Sequence, residues 1–146
     1  EDGKDHELPQ DFADMLGWKE LANKVDLVYS QVKDKKHTLV ICDNYGLAGA
    51  INYYSKHKDM AAVSFHADYK YWFNLKDNIT TVISVKCAAN EDIENKGDSL
   101  LFEKIVLAGK IENPFARENG TCIFLMTGPK TSINAIIKER LVLQSN

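Results

Sequence analysis

Two short segments hold the residue types that could do chemistry. The first is Asp43-Asn44-Tyr45-Gly46-Leu47-Ala48-Gly49, and the second is His66-Ala67-Asp68-Tyr69-Lys70-Tyr71-Trp72-Phe73. In the first, Gly46 frees the backbone where a helix is expected to start. The N–H groups there and the helix dipole would favour an anion. Ala48, Gly49 and Ala50 are small, so strand, helix and ligand could approach closely. A structural turn leading into a well-capped helix uses the same residues. The segment is neither GxGxxG nor GxxxxGK(S/T), so neither dinucleotide nor P-loop chemistry is indicated and no cofactor is implied. The second segment combines Tyr69, Tyr71, Trp72 and Phe73 with an imidazole and a carboxylate. Aromatic faces with a few polar groups suit a sugar or another flat ligand. The same rings could instead pack over the edge of the core. The ligand-binding candidates are therefore Asn44, Tyr45, Gly46, Gly49, His66, Tyr69 and Trp72.

No catalytic residue is assigned. His66 has the chemistry of a general base, but the sequence places no partner beside it. No Ser-His-Asp or Cys-His arrangement is visible. Cys42, Cys87 and Cys122 are far apart, without CxxC or ligand spacing, so no metal site is expected and buried free thiols are. Gly128-Pro129-Lys130-Thr131-Ser132 has the look of a P-loop tail but lacks the upstream glycines, and is expected to be a turn that caps the last helix. Asp11 and Asp14 flank Phe12 near the start of the folded part, where N-capping accounts for them. Asn78-Ile79-Thr80 and Asn119-Gly120-Thr121 match the N-glycosylation sequon, which matters only in a secreted eukaryotic protein.

Both segments must be positioned by regular elements. Trp18, Leu21, Ala22, Val25, Val28, Tyr29 and Val32 recur at spacings of three and four, which predicts a core-covering helix after Gly17. Thr38-Leu39-Val40-Ile41-Cys42 is a continuous apolar run, as in a strand buried on both faces. Leu47, Ala50, Ile51 and Tyr54 then follow helical spacing, and Ala61 to Phe65 reads as the next strand. Residues 38–65 thus form a βαβ unit, for which a right-handed crossover is expected. Ile79 to Val85 is a third strand, and Glu91 to Phe102 a weaker helix interrupted by Gly97. Ile105–Ala108 and Ile123–Met126 are two more strands. Their connection is too short for a parallel crossover, so they should be antiparallel. Ile133, Ile136, Ile137 and Leu141 mark a closing helix. The expected fold is α/β: a three-layer Rossmann-like domain with a mostly parallel sheet and an antiparallel strand pair near the C-terminus. Residues 1–7 read as a linker and 8–146 as one domain. In such sheets ligands sit beyond the carboxyl ends of the strands, where both candidate segments fall.

Composition narrows the class. Of 146 residues, 45% are hydrophobic and 27% charged, enough for one packed core. The net charge of −3 leaves no basic excess to neutralise phosphates, so nucleic acid is not an expected partner. Lys33, Lys35 and Lys36 read as a solvated helix end, favourable at the negative pole of a helix dipole. No apolar run approaches the roughly 20 residues that cross a bilayer. The chain opens Glu1-Asp2-Gly3-Lys4-Asp5 without a starting Met, so an excised domain or a processed product is expected.

A family resemblance joins these observations. Residues 8–18, Leu8-Pro9-Gln10-Asp11-Phe12-Ala13-Asp14-Met15-Leu16-Gly17-Trp18, resemble the segment after the last membrane span in bacterial dolichyl-phosphate-mannose–protein mannosyltransferase-like glycosyltransferases. Asn44-Tyr45-Gly46-Leu47-Ala48-Gly49-Ala50-Ile51 resembles that family's Asn-Tyr-Gly-Glu-Ala-Gly-Ala-Ile motif, with Leu47 in place of Glu. His66 to Trp72 resembles its Gly-His-Asn-x-Tyr-x-x-Trp segment, with Ala67 and Asp68 departing from its polar, Asn-rich character. Asn113-Pro114-Phe115-Ala116 and Gly128-Pro129-Lys130 match later landmarks. The resemblance implies a parent that moves a sugar from a polyprenol phosphate to an acceptor, with its catalytic carboxylates in the first loop of its membrane domain. It implies that this domain lies on the extracytoplasmic, periplasmic face of the inner membrane and is not itself catalytic. The implied partners are the membrane domain of the same polypeptide and a glycan or polyprenol-phosphate sugar. The alternative expectation is a stand-alone periplasmic module that binds a sugar or sugar phosphate.

Overall fold

The computed structural model describes residues 10–65, 73–87, 98–112 and 119–145, without the side chains of residues 10–13, 144 and 145. Among these residues it is an α/β domain with three α-helices and a five-stranded mixed sheet. The elements are α1 (Gln10–Gln31), β1 (Thr38–Cys42), α2 (Tyr45–Tyr54), β2 (Ala62–Ser64), β3 (Thr81–Lys86), β4 (Phe102–Lys110), β5 (Cys122–Pro129) and α3 (Ile133–Ser145). The strand order is β2-β1-β3-β5-β4. Strand β1 pairs parallel with β2 and with β3, while β5 pairs antiparallel with β3 and with β4. The expected antiparallel pair near the C-terminus is present, but the sheet is not mostly parallel. Once β4 and β5 form a hairpin, β5 docks on β3 in the opposite sense, and half of the pairings become antiparallel.

The continuous apolar runs are explained by burial on both faces. Val40 and Cys42 of β1 join Ile83 and Val85 of β3 and Ile123 of β5 in a core covered by α1 and α2. Leu39, Val82, Phe124 and Met126 point the other way, into a second core closed by Ile133 and Ile137 of α3. Successive residues along β1, β2, β3 and β5 feed opposite cores because strand side chains alternate, whereas edge strand β4 is largely exposed on its other face. The stripe is buried from Leu21 to Val32, one residue past the end of α1, but Trp18, expected to open it, is 36% exposed.

Two boundaries differ clearly from the sequence expectation. Helix α1 starts at Gln10 and runs through Gly17, which is buried within it. One glycine costs a helix only about 1 kcal/mol relative to alanine, too little to stop one with so long an apolar face. Asp14 consequently lies inside α1 and is buried rather than capping its start. Phe102 opens β4 instead of ending a helix, and residues 99–101 form a turn before it; residues 91–97 of that expected helix lie outside the described residues.

Side chains close the sheet where the backbone cannot. Strand β2 is an edge, and Asn52 of α2 covers it: Nδ2 donates to the Ala62 carbonyl at 2.9 Å and Oδ1 accepts the Ala62 N–H at 2.8 Å. At the other end of the chain, the Ser132 hydroxyl accepts from the Ala135 N–H at 3.2 Å, capping α3 as the turn residues foretold. No described helix is long and apolar enough to cross a membrane.

Candidate functional site

Strand β1 hands the chain to α2, which leads back to β2 on one side. Strand β3 lies on the other side of β1, and its following chain leads away toward β4. The carboxyl ends of β1 and β3 therefore flank a topological switch point, the place where open α/β sheets bind ligands. Asp43, Asn44 and Cys87 meet there.

Their polar groups are bonded to one another. The Asp43 N–H donates to the Val85 carbonyl at 3.0 Å, continuing the β1–β3 ladder one residue beyond the strand. The Asp43 carboxylate accepts the Cys87 N–H at 2.8 Å. Asn44 is the N-cap of α2, in extended backbone, with Oδ1 accepting the Leu47 N–H at 2.9 Å. Its Nδ2 donates to the Cys87 sulfur at 3.4 Å. A Cβ at Gly46 would stand 3.2 Å from Asn44 Oδ1, so the absence of a side chain lets the cap fold over the helix start.

Of the predicted ligand residues, Asn44, Tyr45, Gly46 and Gly49 come together in the first turns of α2. Tyr45 is 60% exposed. Ala48 and Ala50, on either side of Gly49, are buried and let α2 sit close to the sheet and α1. His66, Tyr69 and Trp72 lie outside the described residues. The last aromatic of that segment, Phe73, is described: it stacks on Phe65 with centroids 4.9 Å apart, and Arg140 of α3 lies over the Phe65 ring at 4.0 Å. Phe73 thus packs over the core edge.

Burial, then the charge of Asp43 and the neighbouring Cys87, push the Cys42 thiol well above its ordinary range. Cys42 is thereby kept a neutral thiol, inert as a nucleophile. The Asp43 carboxylate, one residue before the N-cap, opposes the pull of the helix dipole on an anion.

Sequence reasoning did not single out a second polar cluster, where α1 meets the loop after α2. Ser30, His57 and Asp26 are close together, the residue types of a hydrolase triad. Their hydrogen bonds run the wrong way for one. Asp26 is buried, and its carboxylate accepts from the Ser55 hydroxyl and from the Lys56 N–H at 2.9 Å. The Ser30 hydroxyl donates to the Asp26 carbonyl at 2.7 Å. His57 Nε2, 2.9 Å from Ser30 Oγ, is then the donor of that bond, whereas a base that activates a serine must accept its proton. The cluster pins the end of α2 to α1. Only the three-dimensional path of the chain brings these residues together, so no local spacing announces them.

No protein-family model, curated protein or solved structure matches the chain.

Proposed function

We propose that this domain is the water-exposed part of a membrane-bound glycosyltransferase of the dolichyl-phosphate-mannose–protein mannosyltransferase-like kind. The parent transfers a sugar from a polyprenol phosphate at the periplasmic face of the inner membrane. The domain itself is not catalytic and serves contact with donor, acceptor or membrane domain. The observation that carries this proposal is the ordered set of landmark segments between Leu8 and Lys130, above all Asn44 to Ile51.

The local wiring is consistent with a scaffold. The Asn of that motif spends its amide on the start of α2 and on Cys87, and the Ala-Gly-Ala stretch packs α2 inward. On this view the β2-β1-β3 half, with α2, is the remnant of a Rossmann-like unit whose crevice is closed by Asp43 and Cys87. The Tyr45 ring, exposed at that edge, supports a second reading: a stand-alone periplasmic module that takes a sugar or sugar phosphate there.

The gene decides between them. Several apolar spans of about 20 residues encoded ahead of Glu1, with an acidic pair in the first outer loop, are the expected finding. A start codon or signal peptide directly before Glu1 would contradict the glycosyltransferase proposal and leave the binding module.

A further inference from the structure

The amino ends of β1, β2 and β3 meet at the sheet edge opposite Asp43 and Asn44. A cavity of about 430 Å³ opens between them, within the roughly 300–1,000 Å³ typical of small-molecule sites. Leu39, Val40, Met60 and Val63 give it an apolar floor. Lys35, Lys36, Asp59 and Asp77 give it a polar rim whose formal charges cancel.

Lys36 and Asp77 offset each other without a direct hydrogen bond between them. Lys36 Nζ stands 3.7 Å from Asp77 Oδ1, near enough for attraction and too far for a hydrogen bond. Among the described residues, Asp59 accepts a long bond of 3.3 Å from the Tyr29 hydroxyl. The walls, in contrast, are fixed. Asn134 of α3 donates to the carbonyls of Asp77 at 3.0 Å and Leu75 at 3.3 Å, and accepts the Ile79 N–H at 2.8 Å. The Thr80 N–H is bonded to the His37 carbonyl at 2.9 Å, and Lys35 to the Val32 carbonyl at 2.8 Å. A cavity held open in this way costs little ordering when a ligand enters.

Lysines only donate and carboxylates only accept, whereas a hydroxyl does both. Several hydroxyls on one ring match this alternation, and the ring's C–H face suits the apolar floor. A phosphate would face Asp59 and Asp77, and an ammonium would face Lys35 and Lys36; each meets a like charge. We propose that this cavity binds a neutral polyhydroxyl ligand of monosaccharide size. The site is separate from the switch point and does not depend on the identity of the parent polypeptide.

Amide NMR spectra of the domain, titrated with a panel of neutral hexoses, glycine and inorganic phosphate, test this. The expected result is saturable shifts at residues 36–40, 59–63 and 77–79 with at least one hexose. Asp77→Asn should then weaken binding about tenfold, or about 1.4 kcal/mol. Lys36→Met provides a second variant whose folding is not at stake, because the Lys36 side chain is 71% exposed, and it should weaken binding in the same direction. The proposal is overturned if no hexose gives a saturable shift, if the shifts map to residues 43–49, if phosphate or glycine binds the cavity more tightly than every hexose, or if Lys36→Met leaves the affinity unchanged.

Discussion

The carboxylate of Asp43, the first residue after β1, accepts the N–H of Cys87, the first residue after β3, at 2.8 Å. One side chain thus completes the ladder between the two central parallel strands where the backbone can no longer do so. Asp43→Ala leaves the Cys87 N–H without this acceptor and should destabilise the domain by about 1–3 kcal/mol. Asp43→Asn keeps an acceptor oxygen in place and should recover most of that. Urea unfolding of the two variants checks the ordering; equal losses would mean that charge, not the bond, is what matters.

Asn44 closes the first turn of α2 through Oδ1. Asn44→Ala should cost about 1 kcal/mol, the usual worth of an N-cap, and Asn44→Asp considerably less. If Asn44 instead serves chiefly as a ligand, the alanine variant will unfold at the wild-type midpoint.

The edge of the second core carries a charge. Lys86 is 2% exposed at the end of β3, paired with the Asp98 carboxylate and 5.9 Å from the Phe124 ring centroid. Asp98→Ala takes one carboxylate away from a buried ammonium and should destabilise the domain. Lys86→Met removes the buried charge together with its need for a partner, and leaves Asp98 with access to water. It should be the milder change. Thermal unfolding of both variants tests this, and a milder Asp98→Ala would contradict it.

Stability should fall in alkali. Burial raises the Cys42 thiol above its ordinary 9.0, helped by Asp43 and Cys87, and burial with Asp59 raises the Tyr29 phenol above 10.0. Below pH 9.0 both groups are neutral folded and unfolded, so their contribution is fully present. Above that, the unfolded chain ionises first and the contribution is lost as pH rises toward the folded-state values. The urea midpoint should decline steadily above pH 9.0, and Cys42 should resist alkylation until the protein unfolds. A midpoint that holds level there, or rapid native labelling of Cys42, would contradict this assignment.

Much of the fold is legible in residue order. The run Thr38–Cys42 and the stripe from Leu21 to Val32 are periodic patterns, and periodicity follows directly from which faces are buried. The position of β5 is different: only its match to both β3 and β4 makes half of the sheet antiparallel, and no local pattern encodes a partner. Gly17 misleads because a weak local preference is overridden by the apolar face of α1. Bonds such as Asn52 to Ala62 or Asp26 to Ser55 join residues ten and twenty-nine positions apart, and leave no signature in spacing. At the candidate site, Asn44 and Gly46 stand out in the sequence as turn residues. That they are wired to Cys87 becomes visible only when β1 and β3 lie side by side.

The most direct test of the proposed function is a transfer assay with a polyprenyl-phosphate-linked sugar, run on membranes bearing the complete polypeptide and on residues 1–146 alone. Transfer by the membranes and none by the domain is the predicted result. Transfer by residues 1–146 alone, or none by the complete polypeptide, would contradict it.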